Sequence, residues 1–512
     1  MSLEQLPVKT HPAPALSPQC ARPIGSGGRL RPRAGNARRT LLQFAVFALL
    51  LAAGICAATV VIDPLQFYRK SVLFPPVFST EQRYQNPGLA KNYDYDTIII
   101  GTSMTENFLP SVVNKALNGK TMKLSMRGST ADEHYKIAKL ALETGHVRQV
   151  LWGLDYFSLK KNDPEAAADF PEYLYDDHWW NDYRYWFNYS VYEMWLKGIA
   201  RRLLPGGRQD LEHLNNWNDE SAFGAAKVVN SYRNAKREEA YFSLNEEPLD
   251  EVQDRFNRYI YALVEAFPDT EFYFFYPPYS VLRQEVWKAT NEVRYRNQLE
   301  MGVWMFERLD KLPNAKVYNF QTESDWTYNL DLYKDLSHYK QDVNTAIAEA
   351  IGRDDPKYRM TPENAALFAR TLERQLQTLV LTPDLQVLNA ETVVADAEGS
   401  RSPQWSAMTA PGPSELSVPA KEAARAIGAE LGWDQRTRTL TLSRGGQTLK
   451  MRAGRTDAEA DGRAVDLPYA PVLTGGTAMI PLRAVCEYLG LHVETERPDA
   501  HTIRFTIRLR PA

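Results

Sequence analysis

The sequence predicts an α/β protein with one transmembrane helix, a domain built on a parallel sheet and a small α+β domain at the carboxyl end. An apolar stretch at residues 40–62 predicts the helix, and short strand-like runs that alternate with helical runs from about Tyr95 predict the sheet. An internal repeat beyond Val418 predicts the last domain. At 512 residues the chain exceeds what one hydrophobic core usually serves, so two folded units with tails are expected.

The overall composition is that of ordinary globular material, with 44% hydrophobic residues and a net charge of -3. This charge balance carries no signature of nucleic-acid binding, so no nucleic-acid partner is expected. Of the three cysteines, Cys20 and Cys56 lie in or before the apolar stretch. Cys486 is therefore expected to have no disulfide partner within the chain.

The amino-terminal region predicts the location of the protein. Residues 1–39 are rich in Pro, Gly and Arg and are expected to form a disordered basic tail in the cytoplasm. Residues 40–62 carry no charged side chain and are long enough to span a bilayer. Because the arginines precede this stretch, the positive-inside rule predicts a single-pass protein of the plasma membrane with its carboxyl body outside. A cleaved signal peptide and a buried core helix are the alternatives, but a signal peptide usually has a shorter apolar region.

Strand-like and helical runs alternate through the body of the predicted domain at residues 63–381, which is typical of a parallel sheet flanked by helices. The predicted strands are 97–101, 122–126, 150–155, 271–276 and 316–320. The predicted helices are 132–143, 251–266, 292–312 and 341–351. Five such strands fit a flavodoxin-like three-layer sandwich.

An insertion at residues 157–247 interrupts this alternation and is dense in Trp, Tyr, Asp and Asn. We expect it to arch over the carboxyl edge of the sheet. One interpretation is a helical cap whose rings pack on the core. The other is a platform on which Tyr and Trp rings stack against sugars, because these side chains combine an apolar face with a polar rim.

The candidate catalytic residues are Ser103, at the end of the first strand, and Asp335 and His338, which follow the last strand. A buried strand that ends in Gly-x-Ser places a hydroxyl group at the carboxyl edge of a sheet, and Asp-x-x-His can supply a base and its orienting carboxylate. In a doubly wound sheet these segments meet at one edge. The alternatives are that Ser103 caps a helix and that His338 is a surface residue.

These motifs resemble the SGNH/GDSL hydrolase superfamily, and the matching segments are Gly101-Thr102-Ser103, Arg127-Gly128 and Asp335-x-x-His338. The resemblance implies a serine esterase or O-acyltransferase in which Gly128 helps to hold the oxyanion, and it implies no cofactor. The exported, singly anchored arrangement is similar to the DltD/AlgX/AlgJ-like branch. That similarity implies cell-wall or exopolysaccharide glycan as substrate and a membrane partner that supplies acyl groups.

The third family motif differs at Asp155, where the family usually has an Asn whose amide donates to the oxyanion. An ionised carboxylate cannot donate a hydrogen bond, and losing one such donor costs about 3 kcal/mol in the transition state. Burial could keep Asp155 protonated, Asp155 could bind the substrate, or Asn162-Asp163 could replace the amide. The competing function is a non-catalytic surface scaffold or glycan-binding protein with a degenerate hydrolase fold.

A repeat lies within residues 382–512, where residues 418–428 correspond to residues 480–490 with the same spacing from Pro to Gly. Each copy predicts a helix with Pro in its first turn and Gly at its end. Strands are predicted at 439–443, 448–452 and 502–509, and a linker or long loop is predicted at 395–417.

This carboxyl unit resembles the copper amine oxidase N-terminal-like domain. The matching segments are Val418-Pro419, residues 431–434, 437–442 and 461–465, and residues 480–490. The resemblance implies a module for surface binding or spacing. No metal site is expected, because His492 and His501 have no partners at ligand spacing.

Overall fold

The computed structural model describes residues 34–72, 75–161, 168–204, 210–238, 248–412 and 414–509. The chain divides into two compact units at Ala57 and Ala58. In the first unit most of the predicted tail lies outside the described residues. Helix α1 (Ala34–Ile62) contains a stretch, Ala37–Ile62, that is long and apolar enough to cross a membrane. The predicted span at 40–62 therefore falls on a suitable helix, while its orientation stays a prediction.

The second unit contains a five-stranded parallel sheet with the order β2-β1-β3-β4-β5. The strands are β1 (Thr97–Ile100), β2 (Thr121–Lys123), β3 (Gln149–Gly153), β4 (Glu271–Tyr276) and β5 (Ala315–Asn319). The predicted α/β class with a parallel sheet is thereby confirmed. Strand β2 ends three residues earlier than predicted, but the main chain still pairs beyond it, where Met126 N–H donates to the Gly101 carbonyl at 2.9 Å.

Both faces of this sheet are covered, because neighbouring residues of one strand enter different cores. Ile98 and Ile100 pack in one apolar cluster, and Ile99 packs in the other. Helices α2 (Gln82–Asn92), α3 (Pro110–Leu117), α4 (Ala131–Leu142), α5 (Tyr189–Leu203), α6 (Ala225–Glu238), α7 (Leu249–Phe256), α8 (Val281–Thr290), α9 (Glu292–Leu309), α10 (Gln341–Gly352) and α11 (Ala365–Gln377) accompany it. The predicted helix at 251–266 is α7 extended by a π-helical turn, Asn257–Tyr261, and by Ala262–Ala266.

The described part of the insertion divides between buried and exposed aromatic side chains. Tyr173 and Tyr185 are buried in a small core with Leu65 and Phe67, which follow α1 in the chain. Trp179 and Trp180 are exposed to solvent. The packing interpretation therefore holds for some of these rings, and the exposed ones need a separate explanation.

The carboxyl region consists of several sheets, whose strands pair antiparallel except at one parallel pair, with two helices, α12 (Ala420–Ile427) and α13 (Leu482–Tyr488). Its strands are β6 (Leu379–Leu381), β7 (Val387–Asp396), β8 (Gly399–Arg401), β9 (Thr409–Gly412), β10 (Glu415–Pro419), β11 (Glu430–Asp434), β12 (Thr439–Arg444), β13 (Gln447–Arg452), β14 (Asp457–Ala460), β15 (Arg463–Asp466), β16 (Val472–Thr474), β17 (Thr477–Pro481), β18 (His492–Asp499) and β19 (Thr502–Arg508).

The predicted linker at 395–417 is wrong, because β7 extends into it and β8, β9 and most of β10 lie within it. The three residues of β8 are all exposed, and β9 contains Pro411 at the edge of its sheet. An edge strand tolerates Pro and polar side chains, since one of its sides forms no ladder. Edge strands of this composition resemble loops in sequence.

The two copies of the repeat have the same local structure. Each is a strand followed by a short helix, β10 with α12 and β17 with α13, and the two strands pair antiparallel with Val418 opposite Ile480. Pro419 and Pro481 occupy the residue just before each helix, one position earlier than predicted. The repeat therefore packs against its own copy in one core.

Candidate active site

The candidate nucleophile stands on a tight turn directly after β1. Gly101 has a φ of +151°, and a Cβ atom there would lie 2.6 Å from Cγ2 of Thr105, so the turn requires glycine. Thr102 caps the 3₁₀ turn Ser103–Thr105 and accepts a hydrogen bond from Met104 N–H. Because β1 is an inner strand of a parallel sheet, this turn holds the Ser103 hydroxyl at the sheet's carboxyl edge.

The structure brings Ser103, His338 and Asp335 together in one hydrogen-bonded chain. The distance from Ser103 Oγ to His338 Nε2 is 2.8 Å. His338 Nδ1 lies 2.9 Å from Asp335 Oδ2 and 3.0 Å from Oδ1. Asp335 Oδ1 also accepts the backbone N–H groups of Ser337 at 2.8 Å and of His338 at 2.9 Å, which fixes the carboxylate. In this arrangement the Nε2 side of the ring faces the hydroxyl.

Asp335 is held in its ionised form. Burial opposes ionisation, but hydrogen bonds from the His338 side chain and from two backbone N–H groups, together with attraction to His338, lower the pKa of Asp335 well below its usual value. A carboxylate beside Nδ1 keeps the proton on that nitrogen and leaves Nε2 free to accept the hydroxyl proton. The pair therefore has the tautomer that a general base needs.

Gly128 lines the cavity next to Ser103 and His338. Its φ of +61° lies in the left-handed region, and it follows Arg127, whose N–H donates to Gln82 Oε1 at 2.7 Å. Within the described part of the chain, neither Ser103 N–H nor Gly128 N–H donates a hydrogen bond to another group. Two backbone donors therefore remain available beside the nucleophile, in a cavity of about 520 Å³.

Asp155 contacts Thr102 in the turn that carries Ser103, and it does not line this cavity. It is buried, and its two oxygens accept hydrogen bonds from the hydroxyl groups of Thr102 and Tyr279. Burial raises the pKa of Asp155, while the two hydroxyl donors and His338 act in the opposite direction. Asn162-Asp163, the alternative source of an amide, lies outside the described residues.

The insertion contributes one wall of the cavity, which the sequence motifs did not indicate. The Trp217 ring meets the His338 ring edge-on with centroids 5.5 Å apart, and the Lys334 ammonium lies 3.5 Å above the Trp217 ring centroid. Asn215 lines the cavity with a backbone φ of +60°. Its amide oxygen is buried and has no hydrogen-bond partner among the described residues. The aromatic density of the insertion was the only sequence signal for this wall.

Charged groups surround the mouth of the cavity. Arg127 Nε donates to Glu106 Oε1 at 3.0 Å, and Glu106 also accepts from Gln82 Nε2 at 2.7 Å. Lys334 forms no ion pair within 4 Å among the described residues. Burial lowers the pKa of Lys334, and the nearby carboxylates of Asp335 and Glu106 partly restore it. The site therefore joins a polarised hydroxyl group to a polar, water-accessible cavity.

Among the described residues, no group of three or more His, Cys, Asp or Glu side chains is arranged to hold a metal ion. His492 lies 3.6 Å from Glu494, and His501 lies 3.4 Å from Asp325. Each histidine thus has a single acidic neighbour, whereas copper sites in proteins use several nitrogen or sulfur ligands. The described residues of the carboxyl region do not fit a copper site.

Two solved structures are similar to parts of the chain at low scores. A candidate platelet activating factor from Streptococcus pneumonia has a TM-score of 0.29 and 11% identity, over 55% of this chain and 92% of that one. A gut microbial diltiazem-metabolizing enzyme has a TM-score of 0.26 and 10% identity, over 81% of this chain and 66% of that one. No curated protein matches the chain. Residues 413–503 match the copper amine oxidase N-terminal domain family, which identifies the carboxyl region.

Proposed function

We propose that this protein is a membrane-anchored extracellular serine esterase or O-acyltransferase of the SGNH type, acting on cell-envelope glycan or exopolysaccharide. The observation that carries the proposal is the chain of hydrogen bonds from Ser103 Oγ through His338 to Asp335, at 2.8 and 2.9 Å. A hydroxyl, an imidazole and an ionised carboxylate in this order form the arrangement that activates a serine for attack on an ester.

The topology supports this assignment. The strand order β2-β1-β3-β4-β5 is that of flavodoxin-like doubly wound sheets, in which ligands bind at the carboxyl ends of the strands near the point where the order reverses. Ser103 follows β1, which is the strand at that point. The resemblance to the SGNH superfamily implies a sheet of this topology with its serine directly after the first strand, as Ser103 is here.

The proposed reaction begins when His338 Nε2 accepts the proton of the Ser103 hydroxyl as Oγ bonds to the carbonyl carbon of an ester. The backbone N–H groups of Ser103 and Gly128 donate to the oxygen that becomes negatively charged. The carbon-oxygen bond to the leaving alcohol then breaks, and His338 returns the proton to that alcohol. This sequence leaves an acyl group on Ser103 and a neutral histidine.

The second half of the reaction repeats the proton transfers with a new nucleophile. His338 takes a proton from water or from a sugar hydroxyl, which attacks the acyl carbon and releases Ser103. Water as acceptor gives an esterase, and a glycan hydroxyl gives an O-acyltransferase. The predicted extracellular side of the membrane favours envelope glycan as the acceptor and a membrane protein as the source of acyl groups.

Asp155 favours a second candidate function, a non-catalytic scaffold or glycan-binding protein with a degenerate hydrolase fold. Its carboxyl group accepts hydrogen bonds from Thr102 and Tyr279, so it offers the oxyanion no donor at the position where the family has an amide. Trp217 lies in the cavity wall and gives the cavity an aromatic side chain for contact with a sugar. This function needs the cavity but not the Ser103 hydroxyl.

Hydrolysis of p-nitrophenyl acetate by the purified full chain tests the proposal. Ser103→Ala and His338→Ala are each expected to lower kcat/KM by a factor of 10³ or more, since triad members act as a unit. His213→Ala is the matched control, because His213 also pairs with a carboxylate, Asp210 at 3.0 Å, but lies outside the cavity lining. Turnover that survives both triad changes would contradict the proposal. Glycan binding that Ser103→Ala leaves intact, without ester hydrolysis by the native chain, would support the second function.

A further inference from the structure

Beyond α1, the exposed large apolar side chains of the described residues are concentrated in one segment of the insertion. Of the fourteen large apolar residues after Val72 that are exposed to solvent, eight lie between residues 179 and 204. They are Trp179, Trp180, Tyr183, Phe187, Tyr189, Leu196, Leu203 and Leu204, and we call them the apolar patch. Concentration of this kind marks an interaction surface, because isolated exposed apolar residues are scattered on ordinary proteins.

Helix α5 presents part of the patch on one face. Tyr189, Leu196 and Leu203 recur at seven-residue spacing and are 78%, 59% and 79% exposed. On the opposite face Val191 is fully buried, and a Cβ atom on Gly198 would lie 2.5 Å from Val77. The helix is thus fixed to the body by one side and leaves an apolar stripe without a protein partner among the described residues.

The patch belongs to the part of the insertion that holds the end of α1. In the last turn of α1, the Thr59 hydroxyl donates to the Trp186 carbonyl at 3.2 Å and also bonds to the Tyr192 hydroxyl. Just after α1, Asp63 accepts a hydrogen bond from the Tyr185 hydroxyl at 2.8 Å. Trp186 and Tyr185 lie between Trp180 and Tyr189 in sequence. The segment that carries the patch is therefore attached where the chain leaves the predicted span.

We propose that the apolar patch lies in the headgroup region of the bilayer that α1 crosses, as a second membrane contact of the extracellular body. Trp and Tyr combine an apolar ring with a polar atom and are enriched at this depth of a membrane. A helix with one apolar face and charged residues at its border binds in the plane of the interface, and α5 has Glu193 and Lys197 beside its stripe.

The proposal rests on α1 spanning the membrane and not on the chemistry of Ser103. A single helix leaves the body free to tilt and to rotate about its axis. A second contact that buries several apolar side chains restricts both motions, because returning these side chains to water costs free energy. The surface of the bilayer is favoured over a protein partner because the patch is attached to the residues that must stand at the membrane boundary.

Spin labels in the full chain test this contact directly. Cys20 and Cys56 are changed to alanine, and Cys486 is retained because it is fully buried. A nitroxide is then attached to Leu196→Cys or Leu203→Cys in nanodiscs of phosphatidylethanolamine and phosphatidylglycerol that hold one chain each. Collisions with oxygen, which concentrates in lipid, are compared with collisions with a water-soluble nickel chelate.

Two further labels make the result decisive. Leu367→Cys is the matched water-exposed control, since Leu367 is 52% exposed on α11, and Leu50→Cys reports the span itself. We expect oxygen collisions to exceed nickel collisions at positions 50, 196 and 203 and to fall below them at position 367.

A lipid signal at position 50 with a water signal at positions 196 and 203 would overturn the proposal. A water signal at position 50 would instead reject the membrane anchor. Labels at 196 and 203 that neither reagent reaches would show burial against protein and would also overturn the proposal.

Discussion

The Thr102 hydroxyl donates a hydrogen bond to Asp155, which joins the turn that carries Ser103 to the end of the neighbouring strand. Thr102 directly precedes Ser103, and Asp155 lies two residues beyond β3. The second oxygen of Asp155 accepts from Tyr279, beyond the end of β4. Asp155 thus links the ends of three strands, and this structural role accounts for a buried carboxyl group at the position where an oxyanion donor was expected.

Asp155→Asn is expected to keep the hydrogen bonds to Thr102 and Tyr279. It is also expected to remove the pH dependence that Asp155 gives to the free energy of unfolding. An amide can accept from one hydroxyl and donate to the other, because hydroxyl groups serve in both roles. Burial raises the pKa of Asp155 in the folded chain. The stability that the protonated carboxyl group contributes is therefore fully present below the unfolded pKa of about 3.9, and it is lost as pH rises through the folded pKa.

Urea unfolding of the native chain and of Asp155→Asn, from pH 4 to pH 7, checks this prediction. The variant should gain stability relative to the native chain as pH rises, and esterase rates should differ by less than about tenfold because Asp155 does not line the cavity. Thr102→Val is the contrasting variant, since it leaves a buried oxygen without its donor at a cost of about 1–3 kcal/mol. If the free energies of unfolding of the native chain and of Asp155→Asn change with pH in parallel, the raised pKa of Asp155 is contradicted.

The sheet could be predicted from sequence because its central strands contain short runs of buried apolar residues at the boundary of a helical stretch. Ile98, Ile99 and Ile100 are all buried, since helices cover both faces, and a continuous apolar run is the pattern that such strands leave. The strands β8 and β9 could not be predicted in this way. They lie at sheet edges, where β8 is fully exposed and β9 is a Thr-Ala-Pro-Gly run whose composition is typical of a loop.

The contact of Ser103 with His338 could be anticipated because it depends on topology, which brings the ends of β1 and of the segment after β5 to one edge. The orientation of Asp155 could not, because it depends on which hydroxyl groups, here those of Thr102 and Tyr279, lie within reach. The position of Trp217 could not be predicted either, because the insertion that carries it has no periodic apolar pattern from which its fold can be inferred.

Asn215 is expected to donate a hydrogen bond to the oxyanion from its side-chain amide. Asp155 does not supply this donor. Asn215 lines the cavity with Ser103, and its side-chain amide nitrogen donates no hydrogen bond to another group in the described part of the chain. Because its φ is +60°, Asn215→Gly keeps the backbone conformation while it removes the amide. We expect a loss of tenfold or more in kcat with little change in KM, which steady-state kinetics measures. Unchanged kcat in Asn215→Gly would exclude this role.

Trp217 is expected to hold His338, the proposed general base, through ring contacts with His338 and Lys334. Trp217→Ala removes both contacts, whereas Trp217→Phe retains an aromatic face for the ammonium and an edge for the imidazole. A cation-π contact contributes about 0.5–2 kcal/mol, and each 1.4 kcal/mol lost in the transition state lowers the rate about tenfold. We therefore expect kcat/KM to fall about tenfold in the alanine variant and little in the phenylalanine variant. Equal loss in both variants would contradict this role, because Trp217→Phe keeps an aromatic ring beside His338 and Lys334.

Lys123 is expected to make stability rise with pH in the alkaline range. It is buried, and its ammonium donates to the carbonyl groups of Glu106 at 2.6 Å and Phe108 at 3.1 Å. Burial lowers the pKa of Lys123 to about 8, whereas an unfolded lysine has a pKa of about 10.4. Between these values the unfolded chain binds the proton that the folded chain has released, so the free energy of unfolding increases with pH. In Lys123→Met, denaturant titrations should show no such increase in the free energy of unfolding between pH 8 and pH 10. An increase that persists in the variant would contradict the lowered pKa of Lys123.

The two glycines beside Ser103 are expected to respond differently to a methyl group. Both have positive φ values, which cost an L-residue about 1–3 kcal/mol. A Cβ atom on Gly128 meets no atom within 4 Å, whereas one on Gly101 meets Thr105 Cγ2 at 2.6 Å, so only Gly101→Ala adds a steric conflict. Thermal unfolding should place Gly101→Ala about 1–3 kcal/mol below Gly128→Ala, and Thr105→Ser should recover part of that difference because it removes the conflicting methyl group. If Thr105→Ser restores nothing, the cost lies in the Gly101 backbone and not in its contact with Thr105.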